Sequence, residues 1–149
     1  MDWPRRQEKG TVGVAAARYG GAVQNFRNLQ VWQRAQRLAA RVHLVTESVP
    51  AGLASWRNQM RRSSQSIAAN IAEGAVRDSA RQFAHFLSIA IASASETENH
   101  LDFAWRIGAL SLDQAGPLLD EVVQVRRMLT TLRKRVMDDQ GPVRRLTDS

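Results

Sequence analysis

The stretch "RRSSQSIAANIAEG", Arg61 to Gly74, decides how this chain folds. Trp56, Met60, Ser64, Ile67 and Ile71 recur at spacings of three and four, which puts them on one face of a helix. Beside that seam runs a second, polar stripe of Arg62, Ser66, Asn70 and Glu73. Three readings of the stripe are open. It faces water; or it is buried against another helix or subunit, with Ser66 and Asn70 satisfying each other or a backbone carbonyl and Glu73 paired with an arginine; or it does chemistry. Ser66 has no histidine on its own helix to activate it, which argues against acyl transfer.

Working outward, three more helices are written in the same way. The first opens near Asn28 and carries Val31, Ala35, Leu38, Val42 and Val45 at alternating four- and three-residue steps. Pro50 and Gly52 mark the connection that follows. Ser79 and Gln82 form a capping-box signature for the third, whose seam is Phe83, Phe86, Leu87, Ala90, Ala94, Thr97, Leu101 and Ala104. Gly108 fits a C-terminal stop, and Ser111 with Gln114 caps the fourth. That helix presents Ala115, Leu118, Val122, Val125, Leu129, Leu132 and Val136. Gly116-Pro117 falls inside it, so it either starts at Pro117 or kinks there. Short connections and no strand pattern predict an all-α fold, an up-down-up-down antiparallel four-helix bundle over residues 25–136.

Residues 1–24, with "GTVGVAAARYGGAVQ", have no helical period and read as a flexible N-terminal arm; 137–149, broken at Gly141-Pro142, read as a C-terminal tail. At 149 residues the chain is long enough for a core without disulfides or metal. Absence of cysteine excludes disulfides, thiolate metal sites and cysteine nucleophiles. No apolar run reaches the roughly 18 residues of a membrane span, and the N-terminus lacks an apolar signal region, so a cytoplasmic location is expected.

The formal net charge is +7, and residues 25–136 carry 15 basic against 9 acidic side chains, so most of the excess belongs to the predicted bundle. A GC-rich genome would account for 19 arginines against two lysines but not for the net charge, for which solubility alone is the competing explanation. Arginine suits phosphate because its planar fork donates two parallel hydrogen bonds. Arg27, Arg34 and Arg41 repeat every seven residues with Arg37 nearby, predicting one basic face on the first helix; Arg126, Arg127, Arg133, Lys134 and Arg135 supply another on the fourth, and Arg61 of the second helix is a further candidate for nucleic-acid contact. The competing expectation is solvated faces and intersubunit ion pairs. Tyr19 is the only tyrosine and no aromatic and basic residues interleave, so any binding would be phosphate-dominated rather than base-stacking.

Metal and enzyme signatures are weak. Glu96 and His100 stand four apart, whereas di-iron bundles use Glu-x-x-His on two helices plus glutamates on two more, and His43 and His85 supply no such motif. The glycine-rich N-terminus lacks the lysine and serine/threonine ending of a phosphate loop. No catalytic residue, cofactor or metal site is expected.

Several of these runs resemble the four-helix-bundle proteins named for intervening sequences in 23S ribosomal RNA genes. Phe26, Leu29, Val31, Trp32, Gln33 and Ala35 match that family's opening; Gln59, Arg61, Arg62, Ser66, Ile67, Asn70, Ile71, Ala72, Glu73 and Gly74 match its second helix. Phe86, Leu87, Ile89, Ala90, Ser93, Glu96 and Leu101 match the third, with Ala92 and Ala94 departing where glycine and leucine are common. The resemblance implies a single bundle assembling as a homopentameric ring, with no established catalytic residues. A distant relative, the accessory protein of diversity-generating retroelements, is a basic pentameric bundle linked to nucleic acid, which implies an RNA or DNA partner. With the resemblance in hand, the polar stripe reads as a structural or subunit contact. Arg62 is expected to pair with Glu73 or Glu96, Arg61 to be more exposed, and Gly74 to release the chain into the next loop. The alternative function is an oligomeric scaffold for a protein partner, with no nucleic-acid role.

Overall fold

A computed structural model describes residues 25–139 as four α-helices: α1 Gln30–Val45, α2 Ala54–Ala75, α3 Ala80–Arg106 and α4 Leu112–Asp138. Each helix packs on the next and α1 closes on α4, which makes the four-helix bundle. The N-terminal arm assigned to 1–24 and most of the C-terminal tail lie outside the described residues; Met137 and Asp138 belong to α4. No helix among the described residues is long and apolar enough to cross a membrane.

The seams read from the sequence are the core. All seven seam residues of α4, from Ala115 to Val136, are buried, as are Val31, Ala35, Leu38 and Val42 of α1 and Met60, Ser64, Ile67 and Ile71 of α2. The helix ends follow local chemistry. Asn25 Oδ1 accepts from the Arg27 N–H at 3.1 Å and starts a separate 3-10 turn, Phe26–Asn28, so α1 begins at Gln30. Ser79 Oγ accepts from the Gln82 N–H at 3.1 Å, and the Ser111–Gln114 box is formed in both directions, at 2.9 and 3.2 Å. α3 stops at Gly108, whose φ of +74° only glycine adopts freely. There the N–H groups of Ala109 and Gly108 close back on the carbonyls of Ala104 and Trp105. α4 starts at its box and runs through Pro117. The carbonyl that proline leaves without a helical donor is that of Asp113, an exposed residue in the first turn.

Gly74 does a different job from the one its position suggested. α2 continues through it to Ala75, and its backbone lies close against α3. A β-carbon there would stand 2.7 Å from Phe86 Cβ and 2.8 Å from Phe83 Cδ2. Glycine is required for this approach, not for a turn. Upstream, the same interface is lined by short hydroxyls. Ser93 Oγ donates to Ser66 Oγ at 3.0 Å, and Asn70 Nδ2 donates to the Ser66 carbonyl and hydroxyl at 2.8 and 2.9 Å. Thr97 Oγ1, fully buried, lies 2.9 Å from Ser63 Oγ and 2.8 Å from the Ser93 carbonyl. Such groups reach each other only when the two helices nearly touch, and once paired they cost little to bury.

In an exposed helix Gly→Ala stabilises by roughly 1 kcal/mol. Gly74→Ala is expected to do the reverse, destabilising by about 1–3 kcal/mol through overpacking against Phe83 and Phe86. Urea denaturation of the full chain measures the sign; a stabilised variant would refute the close approach.

Candidate functional site

The polar stripe of α2 divides on folding. Ser66 and Asn70 are half-buried in the α2–α3 seam, while Arg62 and Glu73 are exposed. The expected pairing of Arg62 with Glu73 does not form: the two are eleven residues, or roughly 16 Å, apart along the helix. Glu73 instead pairs with Arg77, whose guanidinium lies 4.9 Å from the Phe86 ring centroid, covering the aromatic that packs on Gly74. Glu96 contacts His100 at 3.4 Å on its own helix. Among the described residues no cluster of His, Asp or Glu could hold a metal.

The two adjacent arginines also exchange roles. Arg61, expected outside, is the one held: its Nε donates to Thr46 Oγ1 at 2.9 Å and its Nη2 to the His43 carbonyl at 3.0 Å. It thus caps the C-terminus of α1, where a cation meets the negative end of the helix dipole. Arg62, turned by about 100°, points away from that neighbour.

The basic stripe of α1 faces α4 and converges on one carboxylate. Arg34 makes a fork to Glu121, Nε to Oε1 and Nη2 to Oε2, both at 2.8 Å, with Nη1 3.3 Å from Met128 Sδ. Arg37 and Arg41 line the same open cleft of ≈ 270 Å³ and make no hydrogen bond or ion pair among the described residues. Three guanidiniums therefore share one counter-charge. The hydrogen bonds from Arg34 hold the Glu121 carboxyl below the usual carboxylate range; partial burial opposes them, and the charges of Arg34, Arg41 and Arg37 add to them. Glu121 in turn raises the Arg34 pKa, chiefly through the same hydrogen bonds. Arg34 is fixed in place while Arg37 and Arg41 remain available to an anion.

The other arginines singled out from the sequence do not join this cleft. Arg27 lies in the 3-10 turn before α1, outside the helical stripe its seven-residue spacing suggested, and its guanidinium is 5.7 Å from the Phe26 ring centroid. Arg126 pairs with Glu98 at 3.2 Å, and Arg133 donates to Ser88 Oγ at 2.7 Å, both reaching across to α3. Arg127 is exposed. Glu121 was missed from sequence. Its signal was an acid flanking the Leu118–Val122–Val125 seam, at the position of a helix that pairs with charges on its neighbour.

Glu121→Gln is expected to cost about 1–2 kcal/mol at pH 7 by weakening a charged fork. Because folding depresses the Glu121 pKa, its contribution is complete above the ordinary carboxylate value and is lost as pH falls through the lower, folded value. The stability gap between the two proteins should therefore close below about pH 4. Urea titrations across the acid range test this; a gap independent of pH would mean the carboxylate is not held as described. Glu73→Ala, at an exposed pair, should change stability by no more than about 0.5 kcal/mol.

No curated protein matches the chain. Among solved structures it is similar to a protein of unknown function of the S23 ribosomal protein family from Bacteroides thetaiotaomicron, with 24% identity and a TM-score of 0.66, covering 70% of this chain and 98% of that one. That likeness establishes the bundle fold. The family model described as 23S rRNA-intervening sequence protein matches residues 27–131, including α1, α2, α3 and the Arg34–Glu121 contact. The chain belongs to the 23S rRNA-intervening sequence protein family.

Proposed function

We propose that this protein is a non-enzymatic, self-assembling basic bundle that associates with nucleic acid through phosphate contacts on its α1–α4 face. The observation that carries the reading is the cleft where Arg34, Arg37 and Arg41 surround the single carboxylate of Glu121. Arg34, through its fork, offsets the Glu121 carboxylate, and the two exposed arginines supply the donors. The side chains of the cleft offer no aromatic ring on which a base would stack, which favours backbone contacts over sequence readout. Assembly as a ring of five would repeat each cleft around the axis and multiply individually weak contacts. A cytoplasmic location accords with this role.

Binding of the purified full-length protein to a structured ribosomal RNA fragment and to duplex DNA, each across a salt series, tests the reading. Affinity should fall steeply with salt for both ligands. Arg37→Ala/Arg41→Ala should keep the helical fold and reduce the duplex salt slope by about two. Absence of binding near physiological salt would overturn the proposal and leave the scaffold function.

A further inference from the structure

A second basic surface differs from the first in what lies between its charges. At the end of the bundle where α3 begins and α4 finishes, an open cleft of ≈ 560 Å³ runs between those two helices, roomy enough for several side chains. Its lining brings together Ile91 and Met137 with Arg133 and Lys134. Met137 is 40% exposed although it is one of the larger apolar side chains of α4, and Ile91 is half-buried. Arg133 is steadied by its bond to Ser88 across the cleft, and Lys134 is exposed. Phosphate contacts alone do not explain the aliphatic surface, and the cleft has no aromatic ring on which an unpaired base would stack. An exposed methionine beside cations, next to the uncovered edge of a half-buried isoleucine, calls for aliphatic side chains flanked by carboxylates.

We propose that the α3–α4 cleft docks an acidic amphipathic helix of a partner protein. The geometry is that of a helix lying along the groove between two antiparallel helices. Its apolar stripe covers Ile91 and Met137, and its acidic flank faces Arg133 and Lys134. Methionine suits such a site because its unbranched, polarisable chain adapts to the side chains it meets. Asp138 lines one end of the cleft and sets direction, since a partner carboxylate there would be repelled. This surface is separate from the Arg37–Arg41 cleft, which lies between α1 and α4, so the two readings stand or fall independently.

The test uses a fluorescein-labelled helical peptide of about 18 residues with leucine at alternating three- and four-residue steps and glutamate flanks. Its control is a shuffled peptide of identical composition and charge. Fluorescence anisotropy with the full-length protein should show the striped peptide binding at least about tenfold more tightly than the shuffled one. Met137→Gln and Lys134→Gln, both at exposed positions, should each weaken it about threefold to tenfold, while Arg37→Ala/Arg41→Ala leaves it unchanged. Equal binding of the two peptides, or none of either, would overturn the proposal. It would also fail if Met137→Gln altered the sedimentation coefficient, which would make the cleft a contact between copies. A single-stranded RNA 20-mer that displaces the peptide and is itself weakened by Met137→Gln would assign the cleft to nucleic acid instead.

Discussion

The separation of α2 and α3 at Gly74 is the constraint on which the rest of the bundle depends. With no β-carbon on Gly74, the α2 backbone reaches Phe83 and the base of Phe86. That approach brings Ser66 within reach of Ser93 and Ser63 within reach of Thr97. Hydroxyls this short cannot bridge a wider gap, although Ser63 and Thr97 each also meet a carbonyl of their own helix, those of Met60 and Ser93. The glycine and the hydroxyls therefore impose one spacing together, and the paired hydroxyls also impose one register, since sliding either helix by a turn would part them. This gives the motif its physical content: small residues allow contact, hydroxyls select the alignment, and Arg77, oriented by Glu73, covers the aromatic edge.

Charge is distributed by the same packing. Helices that lie side by side oblige flanking charges to find partners across the groove, and several arginines do. Arg34 reaches Glu121, Arg126 reaches Glu98, and Arg61 closes the carboxyl end of α1. An arginine used in this way is a structural element, and its charge is at least partly cancelled. Arg37 and Arg41 stand one turn apart beside an anion already committed to Arg34, which leaves a local excess of positive potential. Around Met137 the arrangement is different, with cations set among aliphatic side chains. Two surfaces of the same sign can thus take chemically different partners, because what separates the cations decides which ligand loses least on leaving water.

Much of the architecture was visible in one dimension. Hydrophobic spacing located each helix's buried face, and the seam of α4 is buried residue for residue. Capping chemistry is local and placed the starts of α3 and α4 at Ser79 and Ser111. The differences between sequence and structure share one physical cause. Gly74 reads as a helix stop, and α2 does end one residue later, but glycine's absent side chain serves both turns and close contacts, and only the neighbour distinguishes them. A seven-residue interval groups Arg27 with Arg34 only inside a continuous helix, and Asn25 starts a separate turn there.

The sequence by itself determined the number of helices, the capped starts of α3 and α4 and the side of each helix that turns inward, since these follow from the 3.6-residue period and from contacts within a few residues. Only the tertiary structure decided which neighbour each polar side chain meets. Arg61 rather than Arg62 is held, and Glu121 rather than Glu73 or Glu96 anchors an arginine between helices, because a position on one helix fixes a direction but not the helix that lies in it. The partner of Arg34 is 87 residues away in the chain, a relation that no local pattern encodes and that the packing of α1 on α4 creates.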